Sequence, residues 1–92
     1  MKENIIEKIN VKEYFGRYII CYGDLIFTVY QMANLLNMNI NIIEIILTGQ
    51  YNGHFDDKGI SFDTNEEANE ALDWLIPRII MNKLKGVNFN NE

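Results

Sequence analysis

Ninety-two residues, 48% of them hydrophobic and 12% aromatic, are enough for one packed core, and they argue against both a two-domain chain and a disordered one, with disorder expected only in a tail over residues 88–92. A formal charge of −5 and a pI near 4.7 argue against a protein that depends on non-specific attraction to nucleic acid. The acidity is uneven: residues 1–48 hold four cations and five carboxylates, whereas residues 49–92 hold four cations and eight carboxylates.

Cys21 is the single cysteine and sits in an apolar run, which fits a reducing compartment better than a disulfide-forming one. No stretch approaches the roughly 18 apolar residues of a membrane span. The opening MKENIIEKIN alternates charge with Ile and lacks a signal-peptide core. The expectation is a cytoplasmic protein with no membrane partner.

In chain order, Ile5, Ile6 and Ile9 have helical spacing and predict a short amphipathic helix over residues 2–10. Residues 11–15 either extend it or begin a strand, and Gly16 ends either one. Residues 18–22 are β-branched and aromatic, and Gly23-Asp24 separates them from Leu25, Ile26 and Phe27, so two short strands around a turn are expected.

Thr28 with Gln31 three residues later is a capping-box pair and predicts a helix from Val29 to about Leu36, with Val29, Met32, Ala33 and Leu36 on one face. Asn37 stands where a left-handed residue would end that helix, and Met38 turns inward after it. A second helix over residues 40–47 directs Ile43, Ile46 and Leu47 inward, and Gly49 stops it.

Residues 50–62 read as a hairpin turning at Asp56 to Gly59. Thr64 and Glu67 form a second capping-box pair before the apolar stripe of Ala68, Ala71, Leu72, Leu75, Ile76, Ile79 and Ile80. Pro77 interrupts this stripe and predicts a kink or a fresh helical start, with the helix ending near Lys85-Gly86.

The span TVYQMANLLNMNINIIEIILTG, with the strand and turn before it, resembles the helix-turn-helix of small phage and plasmid proteins. Ala33 matches the small residue where the two helices cross, and Met32, Leu36, Met38, Ile43 and Ile46 match its apolar positions; Asn37 replaces the usual turn Gly. The resemblance covers about residues 22–49. With the hairpin after it, it implies a winged arrangement. The fold class expected is therefore α+β: a single domain with a helix-turn-helix, flanking short strands, a wing-like hairpin and a long C-terminal amphipathic helix.

The resemblance places the residues that would meet base edges at Asn39, Ile40, Asn41, Glu44, Ile45 and Thr48. Asn39 and Asn41 could read adenine, Ile40 and Ile45 could touch a thymine methyl, and Glu44 could accept from cytosine. No Lys or Arg lies in this helix to neutralise phosphate, and Lys58 at the hairpin tip, between Asp57 and Gly59, is the nearest cation in that half. The preferred reading of this helix is that Ile40 and Ile45 are covered by another part of the chain, by a second copy of it, or by a protein partner.

On the last helix, a stripe centred on Leu72 and Leu75 would leave Trp74 and Met81 outward beside Glu66, Glu70 and Asp73, an aromatic anchor with an acidic rim suited to a basic partner. The alternative is that Trp74 is covered and the acids are simply a solvated face. His54, Asp56 and Asp57 are too few for a structural zinc site, and Asp-Asp-Lys-Gly is ordinary turn chemistry, so no metal or cofactor is expected. Cys21 has no basic cluster to activate it, and no Gly-rich phosphate loop or Ser-His-Asp set is present, so no enzyme activity is expected.

The expectation is a non-enzymatic protein-interaction module. By analogy of size, acidity and motif, it would be a small mobile-element inhibitor of the anti-CRISPR type that occupies a basic nucleic-acid-handling complex. The alternative is a winged helix-turn-helix, sequence-specific DNA-binding regulator, and self-association into a homodimer is compatible with either.

Overall fold

The structure is a computed structural model and describes the backbone of residues 5–57 and 59–90, with the side chains of 6–57 and 59–83. Lys58 and the end of the expected tail, residues 91–92, lie outside the described residues. The elements in order are α1 (Ile5–Lys8), β1 (Ile9–Tyr14), β2 (Arg17–Tyr22), β3 (Leu25–Ile26), α2 (Val29–Leu36), α3 (Ile40–Gly49), β4 (His54–Asp56), β5 (Gly59–Phe62) and α4 (Asn65–Asn90).

The class is α+β with an antiparallel sheet. Its strand order is β1-β2-β5-β4, and β3 also pairs with β2. The first hairpin shortens the expected N-terminal helix: α1 keeps Ile5–Lys8, but Ile9 and Asn10 pair with Tyr22 and Cys21. Helical spacing over so few residues is weak beside a six-residue ladder that aligns Ile9 and Val11 with the apolar face of β2. Phe15 and Gly16 make the turn, both left-handed at φ 52 and 80. A two-residue hairpin loop requires this geometry, and it usually recruits Asn-Gly. A bulky residue held there costs on the order of 1 kcal/mol.

Strand alternation sorts the sheet into two faces. Ile9, Ile20, Ile60 and Phe62 enter the core, with Val11, Tyr18, Tyr22 and Phe55 packed against it, and α4 lies on this side. The other face carries Lys12, Tyr14, Arg17, Ile19, Cys21, Ile26 and Ser61, and no described helix is laid across it.

The two short helices follow local chemistry closely. Thr28 Oγ1 accepts from Gln31 N at 3.2 Å and Gln31 Oε1 accepts from Thr28 N at 2.9 Å, the reciprocal bonds of a capping box. Asn37 ends α2 at φ 56 and ψ 47, and Met38 N donates to Ala33 O at 3.1 Å to close the turn. Asn39 then caps α3, its side chain accepting from Asn41 N at 2.8 Å.

Helix α4 departs from expectation at several points. Glu67 N donates to Thr64 Oγ1 at 3.1 Å, but the Glu67 carboxylate turns away to accept from Asn52 Nδ2 at 3.3 Å, so half of the second capping box is made. Pro77 sits within the helix without restarting it, and α4 continues past Lys85-Gly86 to Asn90. Trp74 is buried at 9% exposure, whereas Ile80 is exposed. The cause is that α4 packs on the sheet and on α2 together, so its buried arc widens toward Trp74 and excludes Ile80. Asn82 Nδ2 completes the α2 contact by donating to Leu35 O at 2.7 Å, satisfying a carbonyl in the last turn.

Candidate interaction surface

Helix α3 buries Ile43 and Leu47 and turns its opposite side outward. Gly53 N donates to Leu47 O at 2.9 Å, which ties the loop after α3 back to the helix and brings β4 alongside it. An open groove of about 750 Å³ results, lined by Asn41, Glu44, Ile45, Thr48, Gly53, His54 and Phe55. Gly53 makes this approach possible because a Cβ there would stand 2.5 Å from Ile60 Cδ1 and 3.0 Å from Phe62 Cε2.

Four of the six positions assigned to base reading by the sequence therefore converge on the groove, and two do not. Asn39 spends its side-chain oxygen on the α3 cap, and Ile40 packs partly into the core. Within the groove, Thr48 Oγ1 donates to Glu44 O at 2.6 Å, so its proton is committed to the helix. Ile45 is 68% exposed, and Ile42, which the sequence reading did not single out, is also exposed. Among the described residues no Lys or Arg lines the groove.

The hairpin-tip residues divide. Asp57 is exposed in a left-handed conformation, and Asp56 lines a different depression on the uncovered sheet face. Glu66, Glu70, Asp73 and Met81 are exposed on the outer arc of α4, while Trp74 is withdrawn from it, its ring 4.8 Å from the Arg78 guanidinium. An aromatic anchor at the centre of an acidic rim is therefore not what α4 presents. The reason is the widened buried arc.

Sequence reasoning missed His54, Phe55 and Gly53 as groove residues because they join α3 only when β4 returns beside it. It also missed the hairpin-turn aromatics. Phe15-Gly16, two residues between INVKEY and RYIICY, was the available signal.

Chemically the groove offers one carboxylate, one imidazole, amide and hydroxyl groups, and an apolar wall. These bind by charge and contact. Among the described residues no group of three or more His, Cys, Asp or Glu side chains could hold a metal ion. Cys21 is buried on the uncovered face of the sheet, and burial pushes its thiol above its ordinary range, with the Lys12 charge opposing and the Asp24 charge assisting. A protonated, enclosed thiol is a poor nucleophile. Compared with known protein families, curated proteins and solved structures, the chain gives no match.

Proposed function

We propose that this chain is a non-enzymatic protein-binding module whose α3–β4 groove receives a basic surface of a nucleic-acid-handling partner. The observation that carries this reading is the groove's composition: Glu44 and Ile45 stand where a DNA reader needs cations, and no described Lys or Arg lines it. The net charge of −5 and the outer arc of α4, with Glu66, Glu70 and Asp73, add attraction for a basic partner. In its sharpest form the protein is an inhibitor of the anti-CRISPR type that occupies the partner's nucleic-acid site. The buried free thiol of Cys21 supports a cytoplasmic setting, and no helix among the described residues is long and apolar enough to cross a membrane.

The second reading is a winged helix-turn-helix regulator. It is favoured by one feature, the sequence of α2, a left-handed Asn37 turn, α3 and then the β4–β5 hairpin. Against it, the side-chain oxygen of Asn39 and the hydroxyl of Thr48 are already engaged within the chain.

Glu44→Lys separates the two. Affinity is measured by fluorescence anisotropy against a labelled arginine-rich peptide and a labelled duplex at moderate salt. Protein binding is supported if the peptide binds and the substitution weakens it about 10-fold, the loss of one charge-assisted contact. Tight duplex binding by the wild type, strengthened by the substitution, would replace this reading with the regulator.

A further inference from the structure

The uncovered face of the sheet carries features that the groove does not explain. Phe15 at the β1–β2 turn is 102% exposed, as open as a side chain in an extended peptide, and it is held there by a left-handed backbone that disfavours a bulky residue. Beside it lies a largely apolar depression of about 260 Å³, large enough for an aromatic ring, lined by Tyr14, Phe15, Ile19 and Ile26 together with the polar Arg17, Asp56 and Ser61. Gly59 deepens it: Ile26 lies across this glycine so closely that a Cβ there would stand 2.6 Å from Ile26 Cγ2.

We infer that this face is a homodimer interface in which Phe15 of each copy enters the depression of the other. A protruding ring and a recess of matching size on one patch are what a two-fold contact requires, because each copy offers and receives the same group. This depression shares no lining residue with the α3–β4 groove, although His54 of the groove pairs across the ladder with Ser61 of the depression, and the observations behind the inference do not draw on the proposed function.

Charge selects the same occupant. A chain of net charge −5 repels its own copy on most approaches. Around this depression both cations are paired: Lys12 Nζ lies 3.2 Å from Asp24 Oδ1, and Arg17 Nη1 lies 2.6 Å from Asp63 Oδ1, with Arg17 Nε also donating to Ser61 Oγ at 2.9 Å, which leaves Asp56 as the one carboxylate of the lining with no ion pair among the described residues. The outer arc of α4 and the groove present carboxylates without such pairing to a second copy. The sheet face thus sets fewer unpaired carboxylates against a second copy than the outer arc of α4 does, one against Glu66, Glu70 and Asp73 among the described residues.

Phe15, Tyr14 and Ile26, exposed at 102, 48 and 49%, present roughly 400 Å² of mostly apolar surface, on the order of half of the 800 Å² per partner in a standard interface. The paired-charge rim supplies the polar remainder, close to the balance of apolar and polar area found in interfaces.

The test is the mass in solution of the full chain at about 100 μM, above the weakest affinity usual for a standard interface. Sedimentation equilibrium is expected to give twice the 10.8 kDa chain mass. Phe15→Asn, which suits the left-handed turn, is expected to weaken the dimer at least 30-fold, as loss of a central aromatic anchor does, while the diluted monomer melts no lower than wild type. Ile26→Glu, which sets a second carboxylate beside Asp56 in each recess, is expected to do the same with an unchanged circular dichroism spectrum. A wild-type mass of 10.8 kDa at this concentration overturns the inference, and so does a Phe15→Asn variant that remains dimeric.

Discussion

The α3–β4 groove and the uncovered sheet face are both concave and both bear an exposed isoleucine, but they differ in charge pairing and in backbone strain. The groove holds Glu44 on an unstrained helix capped by Asn39, and its carboxylate has no ion pair among the described residues. The sheet face pairs both of its cations, Lys12 and Arg17, leaves Asp56 without an ion pair among the described residues, and holds Phe15 in a left-handed turn. An unpaired charge on relaxed backbone is poised for an oppositely charged partner, whereas a strained, exposed aromatic beside a largely apolar recess is poised for apolar contact. The two regions thus require different ligands from one small domain.

The largest expected contrast comes from the two glycines beneath these surfaces. At Gly53 a Cβ would press on Ile60 and Phe62, both essentially inaccessible to solvent, so Gly53→Ala is expected to cost about 1–3 kcal/mol and to lower the thermal midpoint by several degrees. At Gly59 the obstructing atom is Ile26 Cγ2, a methyl on the branched Cβ of a half-exposed residue that yields only by a χ1 turn or a small shift of β3, so Gly59→Ala is expected to cost less than Gly53→Ala, about 1 kcal/mol. Equal losses in thermal denaturation would remove this distinction between a rigid groove floor and a yielding sheet face.

Caps and turns give the next contrast. Asn39→Ala removes the acceptor at the start of α3 and is expected to destabilise by about 1 kcal/mol. Phe15→Asn should do the reverse, stabilising the monomer by about 1 kcal/mol as strain at the turn is relieved. Urea denaturation of dilute protein reads both, and a destabilised Phe15→Asn monomer would mean that Phe15 is not held at a cost.

Smaller effects test the charges. Arg17 and Asp63 are both substantially exposed, so Asp63→Asn is expected to cost under about 1 kcal/mol, with the difference shrinking at high salt. For Cys21 the folded state raises the thiol pKa, because burial disfavours the thiolate. The corresponding stabilisation is complete below the ordinary thiol pKa and is lost as pH rises through it toward the folded value. Stability should therefore fall slightly in alkaline solution, and a Cys21→Ala variant should lack that component. Native protein should react slowly with an aromatic disulfide reagent and quickly once unfolded.

Much of the middle of the molecule was legible in advance because its determinants are local. Thr28 with Gln31 set the start of α2, the left-handed tolerance of Asn37 set its end, and the spacing of Ile43 and Leu47 oriented α3. That spacing also brought out Asn41, Glu44, Ile45 and Thr48 as one exposed set. The other half of the groove could not be read this way, since Gly53, His54 and Phe55 belong to it only through the return of β4.

What the chain order determined by itself, then, were helix caps, turn positions and the periodicity of short apolar faces, all governed by interactions within a few residues. Tertiary structure decided the rest. It drew Ile9 and Asn10 into a strand against Tyr22 and Cys21, buried Trp74 while exposing Ile80, and turned Glu67 from its own helix cap to Asn52. In each case the deciding partner lies on another element, and the burial or hydrogen bond it supplies outweighs a local preference worth about 1 kcal/mol or less. The uncovered sheet face, with Phe15 fully exposed beside its recess, exists only at that level.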